Sequence, residues 1–181
     1  MRMSKKMLYP FSQWKPDDRS FAILREWWQE LDDNKGDRAV LKRADSLNEV
    51  VFCPAYHRLL AALRKEGYFV AGAVRLQKLS AIVGLASRIK ENIPGEFGKQ
   101  LGALKQGDKP AVSELRMRRI LACDDLEELY VLLRRAFGIL GGSASLSGLA
   151  ATVWQWESIS EKRPFDSRKQ LAYDYYSAAT I

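Results

Sequence analysis

Apolar residues recur along this chain every three or four positions, the period of helices that bury one face. Phe21, Leu24, Trp28 and Leu31 form the first stripe, with Trp27 at its edge. Asp17 and Asp18 stand ahead of it, suited to cap the helix and to sit at its positive end. After the turn at Asn34-Lys35-Gly36, Asp37 is placed to cap a second short helix with Val40, Leu41 and Ala44 inward. SLNEVVFC reads as a loop. Pro54 suits the first turn of a third helix, whose apolar face is Tyr56, Leu59, Leu60 and Leu63 and whose end falls at Gly67. A long helix over 68–89 follows. Val70, Val74, Ile82, Val83 and Ile89 make it the central buried element, and Gly72 and Gly84 weaken it while leaving room for close helix approach. A loop (NIPGEFG), a short helix (FGKQLGAL) and a turn at Gly107-Asp108-Lys109-Pro110 lead to the hairpin 112–137.

That hairpin holds two amphipathic helices joined at Asp124–Asp125. Met117, Ile120 and Leu121 stripe the first; Leu126, Leu129, Tyr130, Leu133 and Phe137 stripe the second. Leu115 falls on the arginine side of its helix, against the pattern. Asp125, three before Glu128, gives a near capping box. GGSASLSG (141–148) is the most linker-like stretch. A helix burying Leu149, Val153 and Trp154, a polar loop (SISEKRPFD) and a last helix with Leu171 and Tyr175 on one face complete the chain. There are no repeats, heptads or sustained β-alternation. The expected fold is all-α, a helical bundle of about eight or nine helices in two small lobes: a tail over 1–16 that Phe11 and Trp14 dock, a lobe over 17–110 and a lobe over 111–181.

Composition narrows the chemistry. With 181 residues, 47% of them hydrophobic, the chain can bury a core. It has no apolar run of membrane-spanning length and no signal-peptide pattern, so a cytoplasmic protein is expected. Cys53 and Cys123 read as reduced, half-buried thiols. A single histidine, His57, leaves no nucleophile–histidine pair and little material for a zinc site. The carboxylate pairs Asp17–Asp18, Asp32–Asp33 and Asp124–Asp125 all fall at helix ends, where capping and dipole effects account for them. No enzyme and no cofactor is expected.

Charge adds the positive indication. The net charge is +7, and residues 75–119 alone carry 10 basic against 4 acidic residues, whereas 120–181 is net −2. A basic concentration of this kind suits an anionic partner, most commonly nucleic acid. The basic helices carry Arg and Lys but almost no Asn or Gln on the same face, which favours backbone contact over base readout. From face and charge the candidate nucleic-acid-binding residues are Arg38, Lys42, Arg43, Lys99, Lys105, Arg116, Arg119, Arg134 and Arg135. Arg116, Arg119, Lys99 and Lys105 lie in the basic segment and are the stronger candidates. Arg134 and Arg135 lie in the acidic one and suit a partner subunit equally well. Two other readings stay open: a stand-alone, sequence-nonspecific nucleic-acid-binding protein, and a structural adaptor whose arginines meet acidic protein surfaces.

WWQEL, GDRAVLKRA, PAYHRLLAAL, GEFGKQLGAL, SELRMRRILACDDLEELYVLLRRAF and a Trp-Gln pair ahead of a Tyr-rich helix occur in that order. The ordered set, over roughly 21–177, resembles the CasB-type small subunit of the type I-E CRISPR Cascade complex. Residues 1–16 fall outside it, and Arg119 and the 141–148 loop match loosely. The resemblance implies an all-α, non-catalytic subunit in antiviral defence. It implies two copies head to tail, in contact with the backbone subunits that hold the CRISPR RNA and with the large subunit. It also implies a basic surface offered to target DNA, the displaced single strand in particular, that helps keep the R-loop open.

Overall fold

The computed structural model describes residues 7–12, 17–105, 107–156 and 167–179. The first helix, α1 (Arg19–Asp33), starts where Asp18 accepts the Ser20 N–H at 2.9 Å. The Tyr68 hydroxyl donates to the same carboxylate at 2.7 Å, tying the cap to a distant part of the chain. There follow α2 (Lys35–Arg43), α3 (Leu47–Val51), α4 (Pro54–Lys65), α5 (Ala73–Ala86), α6 (Phe97–Gly102), α7 (Glu114–Leu121), α8 (Leu126–Leu140), α9 (Leu146–Trp154) and α10 (Ser167–Ala179). Four two-residue strands complete the described elements. β1 (Glu91–Asn92) pairs parallel with β4 (Ser143–Ala144), and β2 (Leu104–Lys105) pairs antiparallel with β3 (Lys109–Pro110).

The molecule is built around α5. Every residue from Lys78 to Ala86 is buried, as expected of a helix apolar on all sides, and α3, α8 and α9 pack against it. Gly84 makes the α8 contact close: a Cβ there would stand 2.7 Å from the Tyr130 hydroxyl and 3.0 Å from Val50 Cγ2. Tyr130 in turn donates to the Ala44 carbonyl at 2.9 Å, joining α8 to the end of α2. The buried side chains form one cluster running from Phe11 to Tyr175. Phe11 is buried as expected, against Phe21 and Trp154; Trp14 and the SISEKRPFD loop lie outside the described residues.

Several local expectations are corrected. The SLNEVVFC stretch contains helix α3, begun by Ser46, whose Oγ accepts the Glu49 N–H at 3.3 Å while Glu49 accepts the Asp45 N–H at 2.8 Å. This is the Ser-x-x-Glu spacing of a capping box, with the return bond made to the residue before the cap. Asp37 does not cap α2. It lies in the first turn and pairs with Arg58 at 2.6 Å. The central helix starts at Ala73, not at Tyr68, because Gly72 takes φ +83. Residues ahead of it run extended, with the Phe69 N–H donating to the Leu8 carbonyl at 2.7 Å. Val70 is buried from that extended segment, and Val74 is 59% exposed rather than core.

The two tryptophans exchange roles. Trp27 is buried with its indole N–H on the Ala55 carbonyl at 2.8 Å, and Trp28 is the half-buried one. The linker-like 141–148 stretch is a packed junction. Gly141 and Gly142 take φ +70 and +95, conformations open to glycine. The Gly142 carbonyl accepts the Lys90 N–H at 2.8 Å, Ala144 is buried, and Ser145 caps α9.

Candidate nucleic-acid interface

The end of α5 and the junction at 141–142 create a cleft of about 250 Å³ lined by Lys42, Arg88, Lys90, Arg134, Phe137, Gly138, Gly141 and Gly142. Its four cations come from separate parts of the chain. Lys42 lies in the last turn of α2, where a cation also complements the helix dipole. Arg88 and Lys90 follow the C-terminus of α5, and Arg134 projects from α8. Packing holds the segments that carry them together. Arg88 donates to the Lys42 carbonyl, the Lys90 N–H is held by Gly142, and Arg134 stacks 5.5 Å over the Tyr130 ring.

These cations feel one another. Burial first, and then Arg38, Lys90 and Arg88, push the Lys42 ammonium below its ordinary value. Burial and then Arg134 do the same for Arg88, which stays charged nonetheless. Like charges crowded into a partly desolvated cleft make a field that an anion relieves. The Nε of Arg88 is buried with no hydrogen-bond partner among the described residues. Nearby counter-charges among the described residues are Asp45, which pairs with Arg134 at 2.7 Å from a largely exposed position, and Asp32, which acts on Lys42.

The other sequence candidates fall into different settings. Arg38 stands beside the cleft but is only 13% exposed. It donates to the Trp28 carbonyl at 3.3 Å, pairs with Asp32 at 3.3 Å and stacks on Trp28. Arg43 is exposed next to Lys42. Lys99 pairs with Glu96 at 3.2 Å. Lys105 donates to the Ile139 carbonyl at 2.8 Å, satisfying one of the last acceptors of α8. Arg116 and Arg119 are exposed on α7, and Arg135 is exposed on α8. So the structure gathers Lys42 and Arg134, with Arg38 and Arg43 adjoining, and sets Lys99 and the α7 arginines on other elements. Arg88 and Lys90 complete the cleft and were not among the candidates. Their signal was positional: two cations just past the most buried helix, in a chain that returns to them through a Gly-Gly turn.

Among the described residues no group of three or more His, Cys, Asp or Glu could hold a metal ion, and no helix is long and apolar enough to cross a membrane. His57 is exposed with Nε2 on the Val51 carbonyl at 2.8 Å. Burial pushes the Cys123 thiol up to about 11, which keeps it protonated and a poor nucleophile at neutral pH.

Comparison with known proteins adds the following. The model of the family described as CRISPR-associated protein Cse2 matches residues 37–176. No curated protein matches in sequence. Among solved structures, the chain is similar to CasB from Thermus thermophilus, with 17% identity and a TM-score of 0.63 over 88% of this chain and 98% of that one. It is also similar to a chain in the crystal structure of E. coli Cascade bound to a PAM-containing double-stranded DNA target. There the identity is 21% and the TM-score 0.59, over 87% of this chain and 94% of that one. At these identities the two structures speak for a shared fold.

Proposed function

The chain belongs to the CRISPR-associated Cse2 family, and from that premise we propose that it is the non-catalytic small subunit of an RNA-guided Cascade complex in antiviral defence. In this role it binds the backbone of target DNA, the displaced strand in particular, and stabilises the R-loop. Its partners are the backbone and large subunits, the CRISPR RNA they hold and a second copy of itself. The similarity to a chain of DNA-bound E. coli Cascade supports this setting.

The mechanism is electrostatic. Opening an R-loop exchanges one duplex for another of nearly equal stability, so small added terms decide the balance. Cations that neutralise phosphates of the displaced strand release counterions and make reannealing less favourable. The observation that carries this reading is the convergence of Lys42, Arg88, Lys90 and Arg134 on one cleft, with Arg38 and Arg43 alongside. Guide pairing reads the sequence, so the cleft needs no base-edge donors. The remaining candidates, Lys99, Lys105, Arg116, Arg119 and Arg135, extend the basic surface over other elements.

Purification of the tagged chain from its own cells tests the assembly. The expected product is a large RNA-containing particle with two copies of the chain; a free protein without RNA would sink the proposal. Within that particle, Lys42→Glu with Lys90→Glu should shorten R-loop lifetime and flatten the salt dependence of target binding.

A further inference from the structure

A second groove, about 380 Å³ and apart from the basic cleft, lies between α7 and α10 and is lined by Lys109, Pro110, Glu114, Arg116, Tyr175 and Tyr176 among others. The volume is within the roughly 300–1,000 Å³ that small-ligand clefts occupy. Its back wall is rigid. Tyr175 is fully buried and donates to the Val112 carbonyl at 2.6 Å. α10 sits so close to α6 that a Cβ on Gly98 would stand 2.6 Å from Asp174 Cβ. Tyr176 stands perpendicular to Tyr175, at 86° and 5.1 Å between centroids, and is 37% exposed. Arg118 pairs with Glu114 at 2.6 Å and interacts with the Tyr176 hydroxyl, which offsets the one carboxylate among the described lining residues. Arg116 and Lys109 form no ion pair among the described residues and are both exposed.

Resting on the proposed contact with a displaced strand, we infer that this groove is a nucleobase-stacking subsite for single-stranded DNA: one unpaired base lies on Tyr176, and Arg116 and Lys109 take the flanking phosphates. The charge argues for nucleic acid over a protein segment, since among the described lining residues the one carboxylate, Glu114, is already paired while Arg116 and Lys109 form no ion pair. A held aromatic face beside free cations is how sequence-tolerant single-strand sites are built. A base inside a duplex cannot offer its face, so this subsite discriminates single from double strands, which a purely cationic surface does poorly.

The test compares the full-length chain's affinity for an oligothymidylate with that for an abasic oligomer of equal length, across a salt series. The wild type should bind the thymidylate roughly tenfold tighter. Tyr176→Leu should erase that difference without changing the salt slope, and Tyr176→Phe should keep it. Equal wild-type binding to both oligomers with steep salt dependence would overturn the stacking subsite, leave the charge reading intact and point to a protein occupant. Failure of the wild type to bind either oligomer would overturn the charge reading and the subsite together. The abasic comparison decides the matter even where Tyr176→Leu loses its fold.

Discussion

The cleft at the end of α5 and the arginine face of α7 hold comparable charge but differ in construction. On α7, Arg116, Arg118 and Arg119 lie within four consecutive positions on the exposed side of one helix, and Arg118 is paired with Glu114. In the cleft, Lys42, Arg88, Lys90 and Arg134 come from positions spread over 92 residues and meet on a packed floor. The α7 cations are exposed and screened by solvent. In the cleft the Arg88 guanidinium is tied to the Lys42 carbonyl and Arg134 to Asp45 and the Tyr130 ring, and the cations repel one another before any ligand arrives. Dense charge in sequence makes a basic face, whereas convergence in space makes a pocket.

The difference is open to attack at several points. Lys42→Glu combined with Lys90→Glu should have the largest effect, weakening single-strand binding by more than tenfold and lowering the magnitude of the salt slope by about 1.4, the loss of two phosphate contacts. Arg116→Glu with Arg119→Glu should weaken it less; filter binding over a salt series checks both, and the reverse ranking would defeat the contrast. Gly84→Ala attacks the floor. Its Cβ collides with Tyr130 under the cleft, so denaturant unfolding should show about 2 kcal/mol of lost stability, in the range of core overpacking.

Asp45→Asn should act in the opposite direction, freeing Arg134 and raising single-strand affinity two- to threefold, roughly half a kcal/mol, since exposed pairs contribute little. Lys42→Met separates stability from binding. Folding holds the Lys42 ammonium below the usual lysine value of 10.5, so at neutral pH the folded state binds that proton less tightly than the unfolded chain. Stability therefore rises as pH climbs through the window between the two values. Lys42→Met should remove that rise and nudge the neutral-pH melting midpoint upward, while DNA binding falls. Smallest of all, Glu114→Gln should leave the melting midpoint within error, because it and its partner Arg118 are both largely exposed.

Much of the bundle was legible from apolar periodicity. The stripes of α4, α8 and α9 and the caps Asp18 and Asp125 stand where spacing put them. What escaped was set by partners distant in the chain. Spacing from Phe21 put Trp28 in the stripe, yet Trp27 is the buried one, with Ile23, Leu24 and Leu31, and donates to the Ala55 carbonyl. The Gly-Gly stretch at 141–142 looks like a linker until Lys90 meets it. The family was legible from the order of short helical segments, and the cleft was not, because two of its four cations gain meaning only beside the other two.

The parallel pairing of Glu91–Asn92 with Ser143–Ala144 has a consequence for the newborn chain. Synthesis delivers Lys42, Arg88 and Lys90 long before Arg134 and the glycines that close the cleft. A domain-sized chain emerges at ~5–20 residues per second, so for several seconds the polypeptide displays its cations with no pocket to hold them. The cleft is completed late in translation, after α8 and the glycine turn have left the ribosome. A chain broken off before that point carries most of the positive charge and none of the cleft.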